Sequence, residues 1–257
     1  MHAPRFYSAA GNRFAVLDAF EGEPADPAAL ARELCEGHGL DGLLLGAAPR
    51  ADGDVRMLVF NRDGSRAEAC GNGLRALARW AVESEHARDA LVIETDAGAR
   101  RVQCLRRGRE IVAARAELGT PRLVARETEI PIGVRTVRAT LVDLGNPHCV
   151  LFVREVGRAE VAGLGGALER HPRFPERINV SFVEAAGGRL LVRTWERGVG
   201  ETAACGTGAS ACAVAAIVHG LARAPVEVGT RGGRLQVAWD GAGMLTLAGP
   251  VEALPVA

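Results

Sequence analysis

The chain has 257 residues, with 31 lysines and arginines balanced by 31 aspartates and glutamates, so its formal net charge is zero. That balance argues against nucleic acid or an anionic membrane as partner and favours a small-molecule ligand. No apolar run has the length of a membrane span, and the N-terminus lacks the basic-then-apolar pattern of a signal peptide, which together predict a cytoplasmic protein.

The first half of the chain shows alternating strand and helix patterns. Strands are predicted at 7–10, 14–20, 43–45, 55–60, 91–95 and 101–105. A first helix opens at Asp26-Pro27, an N-cap followed by proline at the first helical position, and is expected to end just before Gly37.

A second helix is predicted in the segment EACGNGLRALARWAVE, with Cys70 at its start. Leu74 and Leu77 recur at helical spacing and predict an apolar face. Arg75 and Arg79 fall elsewhere on this helix. The pattern therefore predicts a helix whose apolar face packs inward and whose first residue is a thiol.

From about Glu117 the pattern begins again. Strands are predicted at 139–144, 149–153, from 179, and at 190–195, 226–228, 234–239 and 244–247, with a helix over 159–170. The segment ETAACGTGASACAVAAIVHG then places Cys205 before a long apolar helix without a polar face. Because the N-terminus of a helix favours negative charge, we expect Cys205 to ionise more easily than a free cysteine. On this stretch alone, a buried structural cysteine is the alternative.

An internal repeat relates the two cysteine helices. At an offset of 135 residues, Ala69-Cys70-Gly71-x-Gly73 aligns with Ala204-Cys205-Gly206-x-Gly208, and matches continue on both sides. The repeat predicts two homologous domains with an active site in the cleft between them. The predicted domains are 1–116, completed by the tail 248–257, and 117–247.

Two opposed thiols suit the inversion of a carbon centre by proton transfer, because one group removes a proton from one face while the other delivers a proton to the opposite face. Their equivalence suits a racemase or epimerase, with either thiol as the base. The N–H groups of Gly71-Asn72 and Gly206-Thr207, at the two helix N-termini, can hold a carboxylate and accommodate the developing charge.

The motifs FNRDGSRAEACGNG, LGNPHCVLFV, HPRFPERINVSFVE and WERGVGETAACGTGA together resemble the diaminopimelate epimerase family, from Gly11 to at least Gly233. The resemblance implies an α/β (α+β) fold of two pseudo-symmetric domains, each a strand barrel around a central helix, commonly in a homodimer. It also implies cofactor-independent epimerisation of LL-2,6-diaminopimelate to the meso isomer, without pyridoxal phosphate or a metal. The related proline racemases typically carry C-G-H-G at the first cysteine, where this chain has CGNG.

Carried over position by position, the resemblance makes Cys70 and Cys205 the acid/base pair. It implies that the following residues bind substrate: Asn12, Asn61, Gly71, Asn72, Asn146, Asn179, Glu196, Arg197, Gly206 and Thr207. His148, with Glu196, is implied to influence the ionisation of the cysteines. The residue types fit these roles, since Arg197 can hold a distal carboxylate and Glu196 can accept from an ammonium.

Two positions depart from the commonest family pattern. Arg13 stands where aspartate is usual, and Gly42 stands where many members have a glutamine that contacts substrate. These departures leave open a related racemase that acts on another amino acid.

Simpler interpretations remain for several of these residues. The asparagines are ordinary turn formers, His148 suits a turn, and Glu196-Arg197 suits a surface ion pair. A binding module, or a redox protein with a Cys70–Cys205 disulfide, is an alternative of another class. The absence of C-x-x-C pairs and the duplicated turns count against redox chemistry as the main function. Packing roles are assigned to Cys35, Cys104, Cys149 and Cys212.

Overall fold

The computed structural model describes residues 3–67 and 70–255. Ala69, which the repeat aligns with Ala204, lies outside the described residues. The chain divides into two compact units: residues up to Glu117 together with the segment from Ala248 form unit 1, and Leu118–Leu247 form unit 2. No helix among the described residues is long and apolar enough to cross a bilayer.

Strands dominate both units, and the helices are few. In chain order the elements are β1 (Arg5–Ala9), β2 (Asn12–Ala19), α1 (Pro27–His38), β3 (Gly42–Ala47), β4 (Val55–Asn61), β5 (Arg66–Ala67), α2 (Gly71–Glu83), β6 (Ala90–Thr95), β7 (Gly98–Arg107), β8 (Glu110–Gly119), β9 (Arg122–Ile132), β10 (Arg135–Asp143), β11 (Pro147–Phe152), a 3-10 turn (Val156–Arg158), a π-helical segment (Val161–Gly165), α3 (Gly166–Glu169), β12 (Asn179–Ala186), β13 (Arg189–Glu196), β14 (Gly200–Thr202), α4 (Gly206–Val218), β15 (Val226–Thr230), β16 (Gly233–Ala238), β17 (Leu245–Pro250) and β18 (Glu252–Leu254).

Unit 1 wraps its strands around α2. The parallel pairs β2–β3 and β4–β6 alternate with antiparallel pairs, and β18 adds to β1. Helix α2 packs against β1, β2, β3, β4, β6 and β7. A Cβ atom at Gly46 would lie 2.0 Å from the Trp80 ring, so glycine there lets β3 approach the helix.

Unit 2 repeats the plan around α4. Strands β11 and β12 are parallel, as are β13 and β15, and the helix packs against β10 to β13, β15 and β16. Residues 208–216 of α4 are all buried. The burial agrees with the missing polar face of this segment, because a helix that is apolar all round belongs in a core.

The repeat is visible in the backbone. Helices α2 and α4 both have 13 residues, and their bounds differ by the same offset that aligns the two cysteines. Strands β6 and β15 end in the same turn, in which Thr95 Oγ1 donates to Gly98 O at 2.6 Å and Thr230 Oγ1 donates to Gly233 O at 2.9 Å.

Two predicted helices differ from the structure. Asp26 caps α1 as expected, but the helix runs past Gly37 and ends where Gly39 adopts a left-handed conformation with φ of 60°. The regular helix predicted over 159–170 is replaced by a 3-10 turn, a π-helical segment and the single turn α3. A Cβ atom at Gly165 would lie 2.8 Å from Trp195 Cβ, so close packing against β13 requires glycine where a helix would favour a larger residue.

Strands β8 and β9 were not predicted. Much of β9 is exposed, and its charged residues obscure the alternation that marks a half-buried strand.

Candidate active site

Each cysteine of the predicted pair is the N-cap of a buried helix. The Cys70 Sγ atom accepts a hydrogen bond from Gly73 N at 3.3 Å, and Cys205 Sγ accepts one from Gly208 N at the same distance. The following positions, Gly71-Asn72 and Gly206-Thr207, begin their helices, where N–H groups have no acceptor within the helix. The structure thus confirms the predicted location of both thiols at helix N-termini.

In unit 1, strand ends bring polar side chains to one edge of the sheet. Phe14 pairs with Gly42, and Gly42 pairs with Asn61, so the start of β2, the start of β3 and the end of β4 lie side by side. Asn12 at the start of β2 accepts a hydrogen bond from Asn72 Nδ2, which joins this edge to the N-terminus of α2. The structure therefore brings Asn12, Asn72 and the Cys70 helix terminus together.

Asn61 forms hydrogen bonds within the turn that follows its strand. Its Nδ2 donates to Ser65 Oγ at 2.9 Å, and its backbone N donates to Ser65 O at 2.8 Å. These contacts fit the simpler interpretation of Asn61 as a turn former, while its exposed side chain lies at the strand edge described above.

Unit 2 has the equivalent strand edge. In the parallel pair β11–β12, His148 lies opposite Asn179, and in β12–β13 Val180 lies opposite Trp195, next to Glu196. The starts of two strands and the end of a third again meet. The Asn179 side chain links the neighbouring strands at this edge. Its Nδ2 donates to Pro147 O at 3.0 Å and its Oδ1 accepts from Arg197 N at 3.0 Å.

A chain of polar contacts leads from His148 to Cys205. Nε2 of His148 lies 3.0 Å from Asn146 Oδ1, Asn146 Nδ2 donates to Thr207 Oγ1 at 3.3 Å, and Thr207 Oγ1 lies 3.6 Å from Cys205 Sγ. His148 is thus connected to the thiol through two intervening side chains.

Burial keeps His148 neutral. Desolvation is the main cause that lowers the pKa of this fully buried imidazole to about 3; Arg197 lowers it further, and Asp143 acts in the opposite direction. The neutral ring donates from Nε2 to the side-chain oxygen Oδ1 of Asn146, and among the described residues its Nδ1 has no hydrogen-bond partner. At neutral pH the histidine therefore contributes a hydrogen bond to the chain rather than a charge.

The expectation that Cys205 ionises easily is wrong. Burial raises the pKa of the Cys205 thiol well above its ordinary value, and the nearby Glu196 carboxylate raises it further. Hydrogen bonds from Thr207 and from Gly208 N oppose this increase, but desolvation is the largest cause. The thiol is only 7% exposed, so the helix terminus does not compensate for its removal from water.

The side chains of Glu196 and Arg197 form hydrogen bonds with different partners. Glu196 Oε1 accepts a hydrogen bond from Thr202 Oγ1, whereas Arg197 Nη1 donates to Glu176 O at 3.2 Å. The Arg197 side chain is exposed and Glu196 is half-buried. These contacts do not support the alternative of a simple surface ion pair between the two.

Arg75 is the residue of this region that sequence reasoning missed. The helical pattern set it apart from the apolar face, yet its side chain is fully buried, and Arg79 is only 7% exposed. The repeat contained a signal for Arg75, because the equivalent position in the second half, Ser210, is also polar. Arg75 Nη1 and Ser210 Oγ each donate to the carbonyl four residues earlier, at Gly71 and Gly206.

The remaining cysteines and Gly42 lie in closely packed surroundings. Cys35, Cys104, Cys149 and Cys212 are all buried, in agreement with their assignment. A Cβ atom at Gly42 would lie 2.7 Å from Phe60 O, so this backbone does not admit a longer side chain there without a shift. Residues 3–67 and 70–255 contain no group of three or more His, Cys, Asp or Glu side chains placed to hold a metal ion.

A cavity of about 470 Å³ in unit 1 lies away from these residues. Its lining consists of Ala3, Arg5, Asp18, Trp80, Ser84 and His86. Trp80 and Ser84 lie at the C-terminal end of α2, where the helix dipole disfavours a carboxylate, so we assign the site to the opposite end, at Cys70.

Comparison with known proteins gives close relatives in sequence. The diaminopimelate epimerase family model matches residues 6–124 and 140–254. Diaminopimelate epimerase from Desulforudis audaxviator is 43% identical, over 94% of this chain and 93% of the relative. Diaminopimelate epimerase from Moorella thermoacetica is 40% identical, over 90% of this chain and 88% of the relative.

Solved structures share the fold at low sequence identity. A hydroxyproline epimerase from Agrobacterium vitis superposes with a TM-score of 0.72 at 16% identity, covering 98% of this chain and 90% of its own. A phenazine biosynthesis protein from Bacillus anthracis gives 0.71 at 14% identity, covering 98% and 96%. These similarities confirm the predicted α/β fold class.

Proposed function

The chain belongs to the diaminopimelate epimerase family, and on that basis we propose that it interconverts LL- and meso-2,6-diaminopimelate in lysine and peptidoglycan precursor biosynthesis. The observation that carries the proposal is the pair of N-cap thiols, Cys70 and Cys205, at equivalent positions of the repeat. Relatives named diaminopimelate epimerase, one of them 43% identical over 94% of the chain, support the choice of substrate.

The proposed mechanism is two-base proton transfer. A thiolate takes the Cα proton, so that a C–H bond breaks and an S–H bond forms, and the thiol on the other face delivers its proton to Cα. The second sulfur is left as the thiolate, and the reverse reaction exchanges the roles. No electrons are gained or lost, and we propose that no cofactor takes part.

Stabilisation of the carbanion is assigned to the helix termini. The N–H groups of Gly71-Asn72 and Gly206-Thr207 hold the α-carboxylate in this proposal, and both helix dipoles stabilise the negative charge that develops at Cα. Exclusion of water from the occupied active site would keep the protons from exchanging with solvent during the reaction.

Substrate recognition is assigned to the two strand edges. The proposed binding residues there are Asn12, Asn61, Asn146, Asn179, Glu196 and Arg197. The exposed Arg197 guanidinium suits a distal carboxylate, and Glu196 suits an ammonium group. We further propose that His148 acts on Cys205 through the contacts with Asn146 and Thr207.

One alternative keeps the reaction and changes the substrate. Gly42, at the edge of unit 1, lacks the side chain that many family members carry, which favours a racemase of another amino acid as the second candidate. Localisation in the cytoplasm and assembly as a homodimer are also part of the proposal.

Isotope exchange in D₂O tests the function. Incubation of reduced protein with LL-diaminopimelate should place deuterium at Cα and produce the meso isomer, as followed by mass spectrometry and chiral chromatography. Cys70→Ala and Cys205→Ala should each lower the rate by about 10²-fold or more, because each removes one proton-transfer group. Cys212→Ala, which removes a buried thiol from the same helix as Cys205, is the matched control and should remain active.

The outcomes separate the candidates. Absence of exchange with every amino acid tested would rule out the racemase and epimerase functions. Exchange with another amino acid, and none with diaminopimelate, would favour the second candidate. Full activity in either single cysteine variant would contradict the two-base mechanism.

A further inference from the structure

Arg75 is a buried cation that no anionic side chain pairs with in the described part of the chain. Its side chain has 0% exposure, and no carboxylate among the described residues forms an ion pair with it. Its two hydrogen bonds go to neutral acceptors, Gly71 O at 3.3 Å and Asn72 Oδ1 at 2.7 Å, and its Nε has no partner in the described part of the chain. Buried charges are costly unless they are compensated, so this cation needs an anion nearby.

The Cys70 sulfur is the group that can supply that negative charge. Burial lowers the pKa of Arg75 to about 10, which leaves the guanidinium charged at neutral pH, and the charge of Cys70 acts in the opposite direction. The interaction is reciprocal, because a thiolate that favours the charged form of Arg75 is itself favoured by that charge. Cys70 is the N-cap of the helix that carries Arg75, and helix N-termini add to the attraction for a thiolate.

The second half of the repeat has the opposite electrostatics. Ser210 replaces Arg75 and keeps the bond to the helix carbonyl, at 2.9 Å from Gly206 O, without a charge. Glu196 stands at the position equivalent to Asn61, and its carboxylate raises the pKa of Cys205. Both differences favour a thiolate at Cys70 over a thiolate at Cys205, because Arg75 is positively charged and Glu196 is negatively charged.

Arg75 also orients a side chain of the site. Its Nη2 donates to Asn72 Oδ1 at 2.7 Å, which turns Asn72 Nδ2 toward Asn12 Oδ1. Asn72 is only 4% exposed, so this orientation is fixed by neighbouring protein groups rather than by solvent.

We propose that Arg75 is a positioning residue that stabilises the thiolate form of Cys70, so that the resting protein carries the exchangeable proton on Cys205. The inference deepens the proposed function and rests on it, because it assigns the initial base and the initial acid to the two thiols. The direction of reaction that needs a thiolate at Cys70 starts from this resting form. The opposite direction first requires the proton to move from Cys205 to Cys70.

Thiol alkylation without substrate tests the proposal. The purified protein is treated with iodoacetamide over a pH series, and the modification of Cys70 and Cys205 is quantified separately by peptide mass spectrometry. Arg75→Met should move the midpoint of Cys70 alkylation upward by about 1 to 3 pH units and slow the reaction at neutral pH by about tenfold or more. Arg75→Lys, which keeps the charge, should restore most of the wild-type profile.

Arg79→Met is the matched control. Arg79 lies one turn further along the same helix, but its guanidinium is paired with Glu83 and donates to Val251 O. This variant loses a buried guanidinium and should retain the wild-type alkylation profile of Cys70. The Cys205 profile should stay unchanged in all three variants.

A wild-type Cys70 profile in folded Arg75→Met would overturn the proposal, as would an equal shift in Arg79→Met. If circular dichroism shows that Arg75→Met does not fold, Arg75→Lys and Arg75→Gln provide the comparison, since only the lysine keeps the charge. A shift confined to the glutamine variant supports the proposal, and equal profiles contradict it. The assay needs no turnover, so failure of the diaminopimelate reaction would be recognised separately.

Discussion

Two thiols on the same helix show how strongly a residue's neighbours determine its chemistry. Cys205 is the N-cap of α4 and Cys212 lies within the helix. Both are buried, and burial raises the pKa of each thiol, that of Cys212 to about 12. Only Cys205 lies at the helix N-terminus, where Gly208 N donates to its sulfur and Glu196 acts on its charge. Burial alone therefore does not identify the proposed catalytic thiol, whereas its position at the helix terminus does.

Glu196→Gln should make Cys205 more reactive. The carboxylate raises the pKa of Cys205, so its removal lowers that pKa and increases the thiolate fraction at any pH below it. At pH 8.5 we expect alkylation of Cys205 by iodoacetamide to accelerate by about tenfold, equivalent to about one pH unit. The measurement is peptide mass spectrometry of modified Cys205 against time.

Glu201→Gln is the control for this prediction. Glu201 is a carboxylate of the same unit that is paired with Arg193 and Arg231. Its removal should leave the rate at Cys205 unchanged. A slower reaction in Glu196→Gln, or the same acceleration in Glu201→Gln, would show that the Glu196 charge does not act on this thiol.

The sequence identified the cysteines but not their ionisation. Cys70 and Cys205 could be found because each precedes a glycine-rich helix start and the two are related by the repeat. The direction of the Cys205 pKa depends on Glu196, which lies at the end of a strand and reaches the thiol only through the fold. The burial of Arg75 was not predicted, because periodicity assigns a charged residue to the polar face whatever contacts it makes in the fold.

At the scale of elements, helix α4 depends on glycine at its third residue. A Cβ atom at Gly208 would lie 3.0 Å from Thr194 Oγ1, 3.1 Å from Ser181 Oγ and 3.2 Å from Cys205 Cβ. All three contacts are tight and Gly208 is buried. The helix therefore approaches β12 and β13 as closely as its smallest residue permits.

Gly208→Ala should destabilise the protein although alanine favours helices. Overpacking of a buried site costs about 1 to 3 kcal/mol, which exceeds the gain in helix propensity of at most about 1 kcal/mol. The free energy of unfolding from urea denaturation is the measurement.

Gly37→Ala in α1 is the matched substitution with the opposite expected sign. A Cβ atom there meets nothing within 4 Å, so only the helix propensity changes, and we expect a gain of about 0.5 to 1 kcal/mol. Effects of the same sign in both variants would contradict the argument from close packing.

Elements could be predicted where one local rule dominated. The aspartate and proline at the start of α1 were sufficient to predict where that helix begins, and the apolar run of α4 was sufficient to predict a helix there. The end of α1 was misplaced because Gly37 and Gly39 give the same signal in sequence, while only Gly39 adopts a positive φ. The segment around Gly165 was misread because its glycines serve the approach of Trp195, a contact distant in sequence.

At the scale of the whole molecule, the C-terminal tail is part of unit 1. Val251 is fully buried, its N donates to Val112 O at 3.1 Å, and its carbonyl accepts from Arg79 Nη1 at 2.9 Å. Beyond it, β18 pairs with β1 through Phe6, Tyr7 and Ser8. Unit 1 is thus assembled from two segments that are distant in sequence.

Val251→Asp should destabilise unit 1 selectively. A carboxylate at this buried position loses its hydration, and the guanidinium nearest to it, that of Arg79, is already paired with Glu83. We therefore expect a cost of about 3 kcal/mol or more. Hydrogen exchange followed by mass spectrometry should show faster exchange in α2 and β1 than in α4 and β12.

The neighbouring change Glu252→Lys is the control, because the Glu252 side chain is exposed and the cost should stay within about 0.5 kcal/mol. Equal acceleration in both units of Val251→Asp would contradict the assignment of the tail to unit 1 alone.

The tail also has a consequence for the order in which the protein can fold during synthesis. Domains generally fold as units, and N-terminal domains usually fold first as they leave the ribosome. Here β1 cannot gain its partner β18 until residues 252–254 have been translated, whereas unit 2 is complete at Leu247. Unit 2 can therefore fold before unit 1 has gained its strand β18, and one edge of β1 stays unpaired until then.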